Sequence, residues 1–224
     1  MKWYCLMLAL LVVGCAKRQE RTASAFEERD CEYVLAVVID LSGSFAELMA
    51  DDGKAHDFLL YVLDRYFRDR IGSNDRVLIA QISANGQTLL WEGTPTQLRR
   101  EFPTPDRFRD FLLAKASPGG SLVHEALADT LEYVMADPSV AAGLAKPAIF
   151  VLSDMLDNGH KSPQLKNRVL TDLAKYGQLG GVVGLYFVDE RRLFAWRRIL
   201  QEAGMRECVV ESGIVSRPTL PSFE

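Results

Sequence analysis

The sequence predicts an α/β fold, with a doubly wound, mostly parallel six-stranded sheet that has one antiparallel edge strand. Three observations predict it. Short, continuously apolar, β-branched runs recur along the chain, the sign of strands covered on both faces. Amphipathic helical patterns alternate with those runs, which implies parallel strands with helices on both sides. Asn85-Gly86 joins two of the runs, and that dipeptide favours a tight antiparallel hairpin.

The elements follow in order. "YVLAVVID" (33–40) reads as a buried strand, and residues 54–71 place Phe58, Leu59, Val62, Leu63, Tyr66, Phe67 and Ile71 on one helical face. "RVLIAQIS" (76–83) and "QTLLWEG" (87–93) are the hairpin strands, the second of them an edge. A short helix is expected around 105–115 and another around 121–136, with Leu122, Ala126, Leu127, Leu131 and Val134 facing inward. "PAIFVLSD" (147–154) is a buried strand, followed by a helix marked by Leu165, Val169, Leu170 and Leu173. "GVVGLYFVD" (181–189) is the next strand and 190–203 a helix that Gly204 can end through a left-handed cap. "ECVV" (207–210) closes the sheet, and the tail at 212–224, with Pro218 and Pro221, is expected to be loose.

A chain of 224 residues, 48% hydrophobic and 25% charged, suits one domain with a sizeable core. Its net charge of -4 argues against a general nucleic-acid binder, which needs a clustered excess of Lys and Arg. The start, "MKWYCLMLALLVVGC", has the order of an export signal: Lys2, an apolar run to Val13, then a small residue. A span across a bilayer needs about 20 apolar residues, so this run is too short. "VVGC" resembles a bacterial lipobox, with Val12 where Leu is usual, and implies that 1–14 is a signal peptide and Cys15 a lipidated residue. Ala16 after it, with no Asp there, hints by analogy at the outer membrane of a two-membrane cell facing the periplasm. Residues 15–31 are charged and aperiodic, as a tether would be, and the folded domain is expected over 32–211. Cys31 and Cys208 can pair if the fold brings their Cα atoms within about 7 Å; otherwise they are two free thiols.

Sites in an open parallel sheet form outside the carboxyl ends of the strands. Three loops carry oxygen ligands there: "DLSGS" with Asp40, Ser42 and Ser44, "SPGGSLVHEAL" with Ser121, and "VLSDMLDN" with Asp154 and, beside it, Ser153 and Asp157. Two carboxylates and three hydroxyls make an all-oxygen set, suited to Mg²⁺ or Mn²⁺. Each piece also has a structural explanation: Asp40 and Ser42 as helix caps, Ser121 as an N-cap, Asp154 in an Asx-turn.

Together they resemble the von Willebrand factor type A family and its metal-ion-dependent adhesion site: D-x-S-x-S, a Thr on a second loop, an Asp on a third. The resemblance covers roughly 32–210. Ser121 stands where the family has Thr, and "LSD" where Thr-Asp-Gly is more usual. The resemblance implies that Ser42 and Ser44 ligate the cation directly, that Ser121 joins in the bound form, and that Asp40 and Asp154 supply charge. It also implies a coordination position open to an acidic side chain of a protein partner.

Enzyme readings fare worse. An aspartyl-nucleophile phosphatase wants an acid where Ser42 stands, and no Gly-x-Ser-x-Gly elbow is present. His160 follows the Asp154 loop and reads as an exposed loop residue; His124 reads as a solvent or core contact. "RRLFAWRR" (191–198) reads as a helix with Leu193, Phe194 and Trp196 partly inside. A scaffold that keeps the fold without using the metal is the third possibility.

Overall fold

The computed structural model describes residues 31–50, 53–84, 86–116, 119–159, 162–213 and 219–221, without the side chain of Ser44. The proposed signal peptide, Cys15, most of the tether, Asn85 and His160 lie outside the described residues.

Six strands form one sheet: β1 (Tyr33–Asp40), β2 (Arg76–Ile82), β3 (Leu89–Gly93), β4 (Lys146–Leu152), β5 (Val182–Tyr186) and β6 (Cys208–Val210). Their order is β3-β2-β1-β4-β5-β6, with β3 antiparallel on one edge and every other pairing parallel. That is the predicted α/β doubly wound architecture. Alternation along β1 explains why its whole run is apolar. Val34, Ala36 and Val38 enter one core, and Leu35, Val37 and Ile39 enter the other, on the opposite face.

The helices are α1 (Gly43–Ala46), α2 (Lys54–Phe67), α3 (Pro95–Glu101), α4 (Pro105–Leu113), α5 (Val123–Met135), α6 (Pro138–Ala141), α7 (Pro163–Gln178) and α8 (Glu190–Glu202). α2 and α4 cover one face, α5, α7 and α8 the other. α8 ends as expected: Gly204 has φ +73, and the Met205 N–H reaches back to the Leu200 carbonyl at 3.0 Å.

Several details depart from expectation. The β2–β3 connection, residues 83–88, is longer than a two-residue hairpin, and Gln81 closes its base through N–H to the Thr88 carbonyl (2.7 Å) and Nε2 to the Gln87 carbonyl (2.7 Å). α2 stops at Phe67, and the chain turns through Gly72 (φ +90), leaving Ile71 outside the helix. α3 leaves little trace in the apolar pattern. A capping box makes it: the Thr94 hydroxyl accepts from Gln97 N–H (3.3 Å) while Gln97 Oε1 accepts from Thr94 N–H (2.7 Å), with Pro95 in the first turn. Phe194 on α8 is 79% exposed, whereas Trp196 is buried.

Cys31 and Cys208 are both free thiols, so the possible disulfide is not formed. Sheet order is the reason. Cys31 precedes β1 and Cys208 opens β6, three strand positions away, or about 14 Å at the usual strand spacing. Part of the tail is also less loose than expected: Tyr66 Oη donates to the Pro221 carbonyl (2.7 Å), Tyr186 Oη to the Thr219 carbonyl (2.9 Å), and Leu220 packs on the α2 side. Among the described residues no helix is long and apolar enough to cross a membrane.

His56, buried on α2, has no partner for Nε2 among the described residues. Burial, and then the Arg109 charge, push its pKa below the ordinary histidine value. The folded state therefore keeps His56 neutral while an unfolded chain takes up a proton below about pH 6.5. Stability should fall as pH drops from about 6.5 towards the folded-state pKa. Urea midpoints at pH 7.5 and 5.5 test this: His56→Gln should lose part of the decline, and an identical decline in both proteins would refute it.

Candidate functional site

The rim at the carboxyl ends of β1 and β4 brings Asp40, Ser42 and Ser121 together. Asp40, the last residue of β1, has no solvent exposure, because β2 and β4 flank it. Its Oδ1 accepts the Ser42 N–H at 3.0 Å. Ser121 Oγ lies 3.2 Å from each Asp40 carboxylate oxygen and 2.8 Å from Ser42 Oγ. One hydroxyl proton cannot serve all three, so Ser121 sits at the centre of a shared network.

Helix capping accounts for neither the Ser42 nor the Ser121 hydroxyl. Ser42 occupies the N-cap position of α1, yet its hydroxyl makes no capping bond. Leu122, not Ser121, is the N-cap of α5, which frees the Ser121 hydroxyl to face Asp40. Asp154 does form an Asx-turn, its Oδ1 accepting Leu156 N–H at 2.8 Å. Ser44 lies within α1, on the turn that follows Ser42.

Electrostatics concentrate negative charge here. Burial raises the Asp154 pKa, the Leu156 N–H offsets part of that, and the charges of Asp40 and Asp189 raise it further. Asp189, at the N-cap of α8, is itself held at about 2 by hydrogen bonds from Arg191.

Ser153, which the sequence places beside Asp154 without assigning it a role, belongs to the cluster. Its hydroxyl donates to Asp40 Oδ2 (2.8 Å) and accepts from Met155 N–H (2.8 Å). The signal is register: Ile39 pairs with Leu152, so Ser153 lies level with Asp40 and faces the same side. His124 makes the expected core contact, stacked on buried Trp196 with ring centroids 5.3 Å apart, and in addition pairs with Asp157 through Nδ1. Burial raises the Asp157 pKa, but the His124 ring and the Gly159 N–H outweigh it and hold the carboxyl below its usual range.

The donor spacing fits a small hard cation. Adjacent ligands of octahedral Mg²⁺ stand about 2.9 Å apart, given metal–oxygen distances of 2.0–2.1 Å. The Ser42–Ser121 and Ser121–Asp40 separations, 2.8 and 3.2 Å, bracket that edge. Among the described residues no group of three or more His, Cys, Asp or Glu gathers to hold a metal; the donors here are mostly hydroxyls.

Neither a protein-family model nor a curated protein matches the sequence. Solved structures do match. The SpRpn10 VWA domain superposes with a TM-score of 0.56 at 9% identity, over 83% of this chain and 90% of that one. The chain has a von Willebrand A-like fold. The TFIIH p34 N-terminal domain superposes on this VWA-like chain with a TM-score of 0.51 at 12% identity, over 80% and 90% of the two chains. The pilus adhesin SpaC from Lactobacillus rhamnosus GG, in its open conformation, gives 0.53 at 11% identity, over 84% of this chain but 29% of that one. At such identities the likeness is one of fold, and the VWA-like chain's chemistry rests on its own rim residues.

Proposed function

We propose that this chain is a divalent-cation-dependent protein-binding module, an adhesion or scaffold domain and not an enzyme. The observation that carries the reading is the convergence of Asp40, Ser42 and Ser121 from two separate loops, with hydroxyls that no helix cap claims. Ser42, Ser44 and Ser121 would hold Mg²⁺ or Mn²⁺, and Asp40 and Asp154 would balance its charge. A cation bound there supplies a point charge that a partner carboxylate can complete. Ser153 would fix Asp40 from behind, and the Leu156 N–H would aim Asp154.

Against a hydrolase, His124 is committed to Asp157 and Trp196, and no hydroxyl among the described residues hydrogen-bonds to its ring. We read the export context as a lipid anchor on Cys15 in the cell envelope. Detergent phase partition of wild type and Cys15→Ala tests that part; equal partition would refute it. Isothermal titration of Mg²⁺ and Mn²⁺ into the protein, beside Ser42→Ala, tests the site. Ser42→Ala should weaken binding at least about 10-fold. Equal heats in the two proteins would overturn the assignment.

A further inference from the structure

Next to the rim lies a cleft of about 100 Å³ between α5, α7 and α8. Its walls are apolar: Met155, Leu165, Trp196 and Ile199, with Ala195 at the edge. Cavities of about 150 Å³ admit benzene, so this cleft takes one branched aliphatic side chain. Two cations stand over it, Lys166 from α7 and Arg192 from α8, and neither side chain forms an ion pair among the described residues. The acids nearby are already engaged: Asp157 by His124, Asp189 by Arg191.

The cleft is joined to the rim by the chain itself. Met155, in its wall, directly follows Asp154, so their Cα atoms are about 3.8 Å apart. Met155 holds a left-handed backbone (φ 60) that a side-chain-bearing residue rarely adopts. Its N–H is fixed by Ser153 Oγ, the same atom that donates to Asp40. His124 brings the second link, one turn beyond Ser121 and tied to Asp157 on the Asp154 loop.

We propose that the cation rim and this cleft form one docking surface, for a protein segment that carries an acidic residue within two positions of a bulky aliphatic one. The acid meets the rim, the aliphatic side chain enters between Met155, Leu165 and Trp196, and Lys166 and Arg192 favour further negative charge on the same segment. This rests on the cation-dependent reading above and adds what the partner must present.

Selection of a random-peptide display library on the full chain in Mg²⁺, with elution by EDTA, tests it. Eluted peptides should combine Asp or Glu with Leu, Ile, Val or Met within two positions. Ala195→Phe fills the cleft from an exposed helix position, and a circular dichroism melt verifies its fold. It should bind a selected peptide about 10-fold more weakly, as the loss of one buried aliphatic side chain implies. Lys166→Glu with Arg192→Glu should weaken the same peptide comparably. Acid enrichment without the aliphatic residue, or unchanged affinity in Ala195→Phe, overturns this inference and leaves the cation reading standing. Aliphatic enrichment without the acid also overturns it. A library that yields no EDTA-eluted peptide overturns the cation reading, and this one with it.

Discussion

Asp40→Asn will fold like the parent and lose its response to Mg²⁺. The carboxylate is fully buried and accepts from Ser42 N–H, Ser153 Oγ and Ser121 Oγ. Asparagine keeps one acceptor oxygen in nearly the same place but removes the charge, so most of the local network survives. Alanine is a poorer test, because it would strand several buried donors and confuse folding with binding. A cation at 100 times its dissociation constant stabilises a protein by about 2.7 kcal/mol. In a domain of this size that corresponds to a rise in Tm of about 5–10 °C. Wild type should show this rise in saturating Mg²⁺, and Asp40→Asn should show none, with affinity by titration down at least about 100-fold. Equal rises in the two proteins would remove Asp40 from the site.

The largest effect on stability is expected far from the rim, at Asp75. This residue has no exposure and precedes β2. Its Oδ1 accepts the N–H groups of Glu32 and Tyr33, each at 3.0 Å, and its Oδ2 accepts the Ser73 hydroxyl at 2.8 Å and Arg70 at 3.1 Å. Asp75 thereby ties the start of β1 to the start of β2. Asp75→Ala would leave two backbone donors without an acceptor, at about 1–3 kcal/mol each. Arg70 is partly exposed and can turn to water or Glu32, so its share is small. A total near 3–4 kcal/mol implies a Tm lower by about 6–16 °C. Asp75→Asn, which can still serve one donor, should fall between. A calorimetric shift below about 2 °C for the alanine variant would show that Asp75 does not hold these strands together.

Much of the fold is legible in the chain because both faces of the central strands are covered, which makes "YVLAVVID" and "PAIFVLSD" unmistakable as apolar runs. The D-x-S-x-S spacing is equally plain, since it lies within five consecutive residues. What escapes is whatever depends on contacts distant in sequence. Ser153 gains its role from the β1–β4 register, and His124 gains Asp157 from the packing of a loop 33 residues away. α3 escapes for a different reason: a short helix set by a polar capping box leaves no apolar period to detect. The sequence leaves the cysteines open between a bond and two free thiols, because the strand order that separates them is not written in their spacing.

The direction of β1 has a consequence for presentation. The chain enters the domain at Cys31, at the amino-terminal pole of the sheet, and β1 runs to Asp40 at the opposite pole. Seven residue steps of strand carry it roughly 23 Å. An anchor upstream of Cys31 would grip the domain by its base and leave the rim and cleft pointing outward. The adjoining tether would then set how far that rim can reach, without touching what it binds.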